Sequence, residues 1–249
     1  MRYSGLRVFR EAMTGHKGWT PTWRDPDPQP SYDVIIVGGG GHGLAAAYYL
    51  AKEFGQLRIA VLEKGYIGGG NVGRNTTIIR SNYLLDGNQP FYEFSMKLWE
   101  GMEQDFNYNA MVSQRGVLNL YHSDAQRDAY TRRGNAMILH GADAELLDRE
   151  QVRKMYPFLN FDHARFPIKG GLLQRRGGTA RHDAVAWGYA RGASALGVDI
   201  VENCAVTGVT RDAFGAVSGV ETTRGPIAAG RVAVVAAGAT SEVMRMADV

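Results

Sequence analysis

The sequence of 249 residues predicts an α/β fold from three observations. A β-branched run, DVIIV, precedes a glycine-rich loop, a helical stretch of small apolar residues and a second apolar run, RIAVLEKG, which is the order of a βαβ unit. The last third of the chain again alternates strand and helix patterns. The 32 glycines are aperiodic, and many lie where strands turn into helices, as expected where backbone approaches a ligand closely.

Composition excludes several classes of protein. With 45% hydrophobic and 21% charged residues, the chain can bury a core, and it contains no run of 18 apolar residues, so we expect no membrane partner and no secretory signal. The single cysteine, Cys204, lies in an apolar context without a neighbouring His, and predicts a reducing compartment and a cytoplasmic location. The net charge of +3 is spread along the chain, so we expect no nucleic-acid partner.

The first 31 residues form an N-terminal arm. Leu6, Phe9 and Met13 share one face of a short candidate helix, and four prolines within residues 21–30 forbid a regular element after it. Trp19 and Trp23 have too little local chain to bury them, so we expect the arm to lie on a neighbouring subunit.

Helix and strand patterns alternate through the rest of the chain. After the βαβ unit, apolar residues follow a helical stripe from Phe91 to Asp105, residues 116–121 alternate as a strand, and a polar-faced helix ends at Gly141. A helix from Asp183 to about Leu196 precedes four strand patterns, VDIVEN, AVTGVTR, AVSGVETT and RVAVVAAGA. These patterns predict one domain from residues 32–85 and 183–249, with 86–182 as a second domain.

The strand-to-helix loop VGGGGHG carries Gly38, Gly40 and Gly43 in G-x-G-x-x-G register. The first glycine permits the tight turn, the second lets backbone approach a pyrophosphate, and the third lets helix and strand pack closely. The helix N-terminus adds free N–H groups, including that of His42, whose backbone rather than its ring would face the ligand. The loop therefore predicts a Rossmann-like dinucleotide site.

Glu63 lies twenty residues beyond Gly43, at the end of the second strand. A carboxylate there accepts both ribose hydroxyls of an adenosine and argues against a ribose 2′-phosphate, so NADP is not expected. The loop by itself does not separate NAD from FAD.

Further segments, in order, resemble the D-amino-acid-oxidase-like flavoproteins: VLEKG, GGGNVGRNTTIIRSNY and the closing VAVVAAGA. This resemblance implies noncovalent FAD, with an interleaved antiparallel-sheet substrate domain. It also implies a backbone contact to adenine from Val206 and a second approach to the cofactor at Gly238. Gly41, Lys64 and Ile79 lie in the same segments and are cofactor-binding candidates.

Longer stretches, above all QRRGGTARHDAVAWGYARGA, resemble the beta subunits of heterotetrameric sarcosine oxidases from about Trp19 to Val249. That family implies FAD-dependent oxidation of a secondary amine, with tetrahydrofolate and oxygen as co-substrates and alpha, gamma and delta subunits as partners. It also implies a covalently attached FMN. Because TARHDAVAW matches the segment that bears it, His182 is the expected attachment point, with Arg175, Arg176 and Arg181 as candidates for its phosphate.

A polar run follows the second glycine-rich loop. Amide, hydroxyl and guanidinium donors near the N1–C2=O edge of a flavin stabilise its anionic reduced ring; the run offers them as Asn71, Arg74, Asn75, Thr76 and Thr77. The alternative is a polar turn before a strand. Arg80, just beyond, is the candidate to hold a substrate carboxylate, and a structural salt bridge is the alternative.

The remaining histidines show no ligand spacing, so no metal site is expected. Relatives in the resembled family are longer, and the substrate domain is expected to be incomplete at the C-terminus. A noncatalytic chain that binds a nucleotide or a partner subunit, or another amine or amino-acid oxidoreductase, is the alternative to the sarcosine-oxidising enzyme.

Overall fold

The computed structural model describes residues 4–85 and 87–249, and the chain divides into two compact units. The first unit runs to Gly70 and resumes at Tyr189–Val249, and the second is Asn71–Gly188. Both boundaries differ from the sequence estimate. Residues 71–85 join the second unit because Ile78 pairs with Thr179 there, and the later boundary falls within a continuous helix rather than at its start.

Strands and helices alternate over most of the described chain. The strands are β1 (Ser31–Val37), β2 (Ile59–Leu62), β3 (Ile78–Ile79), β4 (Val117–Tyr121), β5 (Glu145–Asp148), β6 (Gly170–Gln174), β7 (Gly178–Thr179), β8 (Asp199–Val201), β9 (Val206–Arg211), β10 (Val217–Thr222) and β11 (Ile227–Val234). The helices are α1 (Gly5–Met13), α2 (Gly41–Glu53), α3 (Gln89–Phe106), α4 (Asp124–Leu139), α5 (Arg149–Met155), α6 (His182–Ala195) and α7 (Thr240–Met246), with 3-10 turns at Asn71–Arg74 and Ala237–Ala239.

A six-stranded sheet in the order β8-β2-β1-β11-β10-β9 forms the centre of the first unit. The strands β8, β2, β1 and β11 are parallel, and β10 and β9 continue the sheet antiparallel. Ile35, Leu62 and Val201 are among the buried residues of its core. Because β2, β1 and β11 are parallel neighbours, their carboxyl ends meet at one edge of the sheet, where such folds bind ligands.

The predicted helix of the arm is present as α1. The Ser4 side chain accepts a hydrogen bond from the Arg7 N–H and caps it, and Leu6, Phe9 and Met13 are exposed.

The two tryptophans of the arm have contacts within the first unit. Trp19 donates to His16 Nδ1 at 3.2 Å, and the Trp23 indole donates to Glu202 at 3.3 Å. Asp25 accepts from the Glu202 N–H at 2.9 Å. A distant segment of the same chain therefore supplies a partner of Trp23, and docking of the arm on a neighbouring subunit stays a prediction.

The second unit contains the predicted antiparallel sheet, in the order β4-β6-β5, and a separate β3-β7 pair. Helix α3 buries Met96, Met102 and Phe106, whereas Phe91 and Phe94 are exposed. The apolar stripe predicted from Phe91 to Asp105 therefore includes two residues, Phe91 and Phe94, that do not lie on the buried face of α3. None of the helices in the described part of the chain combines the length and apolar character that a bilayer crossing requires.

Candidate functional site

Two glycines of the first loop are required by the packing of the chain itself. Gly38 has φ of +117°, and a Cβ there would collide with the Val235 carbonyl oxygen on the neighbouring β11 segment. A Cβ on Gly43 would collide with the Gly38 carbonyl oxygen. The first and third glycines of the motif thus let the loop turn and let α2 approach β1.

Gly40 is different because it faces open space. It is the N-cap of α2, with φ of −79° and ψ of 178°, and a Cβ built on it would meet nothing within 4 Å. The N–H groups of the first turn of α2, which begins at Gly41 and includes His42, make this end of the helix electropositive. His42 itself is exposed. The space over Gly40 is therefore a cradle for an anionic group approaching the backbone.

Glu63 borders this cradle from the end of β2. Its carboxylate accepts the Gly39 N–H and the Gly65 N–H, each at 2.9 Å. A carboxylate offers about four acceptor positions, so further hydrogen bonds to a ligand remain open to it. Lys64, the next residue, is exposed.

The segment before Val206 lies beside Glu63. The Cys204 N–H donates to the Glu63 carbonyl oxygen at 2.9 Å, and the Asn203 N–H donates to Gly65 at 2.8 Å. Val206 then begins β9. Val206, the candidate for the adenine contact, therefore lies two residues after Cys204, which is hydrogen-bonded to Glu63, the candidate for the ribose contact.

The last glycine candidate follows β11. The Val235 N–H donates to the Val37 carbonyl oxygen at 2.9 Å, which brings the end of β11 beside the start of the glycine loop. Gly238 lies in the 3-10 turn just beyond and is exposed, with open space at its Cβ position. The first unit thus gathers the loop glycines, Glu63 and the AAG turn at one edge of its sheet.

A cavity of about 270 Å³ lies within the second unit, slightly below the usual range for small-molecule pockets, which starts at about 300 Å³. Its walls combine the polar run with one face of α6 and Trp99: Val72, Asn75, Thr76, Thr77, Ile78, Ile79, Trp99, Ala180, His182 and Val185. Asn71 and Arg74 do not line it. Asn75, Thr76 and Thr77 of the polar run therefore line the same cavity as His182.

The polar run has a fixed local geometry. The Asn75 side chain donates to Val72 at 2.8 Å and accepts from the Thr77 N–H at 2.7 Å. Thr77 has φ of +61°, a left-handed conformation that costs a β-branched residue energy. Strain of this kind clusters at ligand sites, and Thr77 lines the cavity.

His182 is the first residue of α6, and its Nδ1 is buried without a hydrogen-bond partner among the described residues. Such an atom is rare, because burying an unpaired polar group costs about 1–3 kcal/mol. A bound group at His182 would remove that cost.

The three arginines expected to hold a phosphate near His182 are paired with carboxylates instead. Arg175 binds Glu145, Arg181 binds Asp183 at 2.8 and 2.9 Å, and Arg176 donates to Glu93 at 2.9 Å and to Glu100 at 3.0 Å. The Arg181 hydrogen bond holds the pKa of Asp183 below its usual value. Each of these three charges has a carboxylate partner, and the assignment of the arginines to a phosphate stays a prediction.

Arg80 has a different environment. Its Nη1 donates to the Asn82 side-chain oxygen at 3.1 Å, and its guanidinium carbon lies 5.4 Å from the centre of the Tyr83 ring. No carboxylate oxygen lies within 4 Å of it among residues 4–85 and 87–249, so the structural salt bridge weighed as its alternative is not observed there.

Several residues of these sites escaped sequence reasoning. Trp99 was placed on a helix stripe and lines the cavity. Asn82, beside Arg80, is only 2% exposed. An amide two residues after a guanidinium, in a run predicted to border a strand, was the available signal. No group of three His, Cys, Asp or Glu side chains in the described part of the chain is arranged to hold a metal ion.

Residues 33–249 match the family model described as FAD dependent oxidoreductase (DAO). The chain is 73% identical over 247 residues to a protein named sarcosine oxidase subunit beta from Rhizobium meliloti (strain 1021), covering 99% of this chain and 59% of the relative. It is 50% identical over 246 residues to a protein of the same name from Rhodobacter capsulatus, with the same two shares. The chain thus spans 59% of the length of these curated relatives.

A solved structure of L-proline dehydrogenase from P. horikoshii superposes with a TM-score of 0.82. It is 23% identical to this chain, and the match covers 89% of this chain and 57% of that one. At this identity the likeness concerns the fold alone, and it confirms the α/β fold predicted from the sequence.

Proposed function

Because the chain belongs to the FAD-dependent oxidoreductase (DAO) family, we propose that its first unit holds noncovalent FAD by the adenosine diphosphate half. The open cradle at Gly40 is the observation that carries this assignment. The pyrophosphate is assigned to the N–H groups at the start of α2, and the ribose hydroxyls to Glu63. These residues fit the group, since the N–H groups at the start of α2 favour an anion in the open space at Gly40, and the Glu63 carboxylate retains acceptor capacity.

The proposed reaction is oxidation of a secondary amine, with sarcosine as the substrate and glycine as the product. The bound flavin supplies the two-electron acceptor. Relatives that are 73% and 50% identical carry the name sarcosine oxidase subunit beta, which supports the choice of amine. Arg80 is proposed to bind the substrate carboxylate, because its guanidinium is half-buried and bound to a neutral amide; a two-pronged hydrogen bond would orient the substrate.

The cavity of the second unit is proposed to hold a covalently attached FMN, with His182 as the attachment residue. Two observations support a bound group there: the unpaired buried Nδ1 of His182 and the polar wall formed by Asn75, Thr76 and Thr77. The wall residues would place donors at a flavin edge. The phosphate of this group is not assigned to Arg175, Arg176 or Arg181.

The relatives are named as beta subunits, and we assign this chain to a multi-subunit enzyme as well. Alpha, gamma and delta subunits are the proposed partners, and the cytoplasm is the proposed location. The exposed apolar face of α1 (Leu6, Phe9 and Met13) is available for such an assembly.

The amine oxidation is tested by adding sarcosine anaerobically to the assembled complex that contains FAD-loaded chain. Bleaching of the flavin absorption is expected. An oxidised spectrum that persists after hours at saturating sarcosine, with FAD shown to be bound, would contradict the reaction. Arg80→Met is expected to raise the sarcosine concentration needed for half-maximal bleaching, and an unchanged requirement would remove Arg80 from the site.

The attachment at His182 is tested separately by mass measurement. After acid precipitation of the assembled protein, the tryptic peptide that contains residue 182 should carry the mass of FMN. An unmodified peptide, from protein whose second flavin is present and released by acid, would show that the assignment is wrong.

A further inference from the structure

Arg80 is held in place by neutral groups. Besides the Asn82 oxygen at 3.1 Å, its guanidinium faces the Tyr83 ring. Tyr83 is itself stacked on Tyr92, with ring centres 3.8 Å apart and planes 17° apart. The stack limits the movement of the ring under the guanidinium, and the cation–π contact keeps the positive charge intact.

Two carboxylates of α3, Glu93 and Glu100, have partners other than Arg80. Glu93 accepts hydrogen bonds from Arg176 at 2.9 Å and from the Ser81 hydroxyl. Glu100 binds Arg176 as well. Glu93 and Glu100, two of the acidic residues of α3, are therefore bonded to Arg176, although Glu93 is also bonded to Ser81, the residue next to Arg80.

A second asparagine fixes the orientation of Asn82. The Asn82 Nδ2 donates to the Asn119 Oδ1 on β4 at 2.5 Å. An amide has its donors at one end and its acceptor at the other. Because Asn119 takes the donor end, the Asn82 oxygen points to Arg80. Asn82 is 2% exposed, so water does not compete for the same positions.

The backbone between Arg80 and Asn82 is also anchored. Ser81 and Gln174 are fully buried. The Ser81 N–H donates to the Gln174 Oε1 at 2.9 Å, and the Gln174 Nε2 donates to the Ser81 hydroxyl at 2.6 Å. These bonds tie the segment to β6 and leave Arg80 few alternative positions.

We propose that Asn82, oriented by Asn119, is a positioning and specificity residue for the carboxylate of the amine substrate. It holds one nitrogen of the Arg80 guanidinium without neutralising it, which leaves the other donors and the full positive charge for a carboxylate. An aspartate at position 82 would accept the same hydrogen bond, but it would also form an ion pair with Arg80 and neutralise the charge that the substrate carboxylate needs. The inference rests on the proposed role of Arg80 as the substrate's carboxylate ligand.

The test is binding of (methylthio)acetate, an unreactive analogue of sarcosine, to the FAD-loaded full chain by titration calorimetry. Asn82→Asp is expected to raise the Kd at least tenfold. Asn119→Asp adds the same charge and keeps an acceptor for the Asn82 amide, so its Kd is expected to stay within about threefold of the parent value. In the assembled enzyme, Asn82→Asp should raise the KM for sarcosine and leave kcat within twofold.

If Asn82→Asp does not fold, the comparison of Asn119→Leu with Asn119→Asp tests the role of Asn82 instead. Asn119→Leu removes the acceptor and should raise the Kd about tenfold, whereas Asn119→Asp should not. Unchanged affinity in Asn82→Asp or in Asn119→Leu, with binding lost in Arg80→Met, would overturn the inference and leave the proposed function standing. Unchanged affinity in Arg80→Met, or no binding to the parent chain, would overturn both.

Discussion

Replacing Gly40 by alanine separates ligand binding from folding in the first unit. A Cβ at Gly40 would meet no atom of the chain within 4 Å, and the φ of −79° and ψ of 178° at this position are accessible to alanine. The cost to folding is limited to the weaker N-cap preference of alanine, on the order of 1 kcal/mol or less. For a chain of this size the expected fall in Tm is roughly 2–4 °C per kcal/mol.

The cost to FAD binding is larger. The new methyl group stands where a pyrophosphate must approach the backbone, and overpacking of a fitted site costs about 1–3 kcal/mol. A loss of about 2 kcal/mol raises the Kd roughly 30-fold. We expect this change in a fluorescence titration of the apoprotein with FAD.

Two further variants control the measurement. Gly101→Ala, in the middle of α3 and also without an atom within 4 Å, should leave the Kd unchanged. Gly43→Ala should lower the stability of the apoprotein itself, because its methyl group collides with the Gly38 carbonyl. Equal FAD affinity in Gly40→Ala and in the parent would refute the reasoning about the cradle.

Three other predictions concern single side chains. Glu63→Ala removes the acceptor of the Gly39 and Gly65 N–H groups and of the proposed ribose hydroxyls, so FAD binding should weaken by about 1–3 kcal/mol, which is roughly a 5- to 150-fold rise in Kd in the same titration; an unchanged Kd would remove Glu63 from the site. Burial raises the pKa of Tyr32 to about 12, above about 10 in the unfolded chain. Its contribution to stability is therefore complete below pH 10 and is lost as the pH rises towards 12, and urea unfolding of Tyr32→Phe should show a flatter decline over that window than the parent; parallel declines would contradict this. Thr77→Gly relieves the positive φ, whose strain is about 1–3 kcal/mol, against an entropy cost of about 0.5–1 kcal/mol for glycine, so the apoprotein should unfold at higher urea; a lower midpoint would show that Thr77 is not strained.

Local patterns were enough to predict the βαβ unit and its glycine loop. The turn at Gly38, the approach of α2 at Gly43 and the carboxylate at the end of β2 depend on residues within about 30 positions of one another, and their spacing alone determines the geometry. The helix α1 and the strands β4, β9 and β10 were also found, because each carries its own periodicity.

Contacts between segments that are distant in the chain could not be predicted from local sequence patterns. The carboxylate partner of Trp23, Glu202, comes from beyond β8, and the partners of Arg176 come from α3. The arginine-rich segment looked like a phosphate site because sequence shows the cations without the acids that neutralise them. Asn82 and Asn119 meet only because the segment after β3 lies beside β4.

Displacement of bound FAD tests the central claim most directly, namely that the first unit binds FAD by its adenosine diphosphate half. The FAD-loaded chain is titrated with ADP and, separately, with riboflavin, and the released FAD is separated from the protein by ultrafiltration and quantified by chromatography. ADP should displace one FAD per chain, and riboflavin at equal concentration should displace little. Displacement by riboflavin with none by ADP would contradict the account, since the flavin ring and not the contacts at Gly40 and Glu63 would then carry the binding.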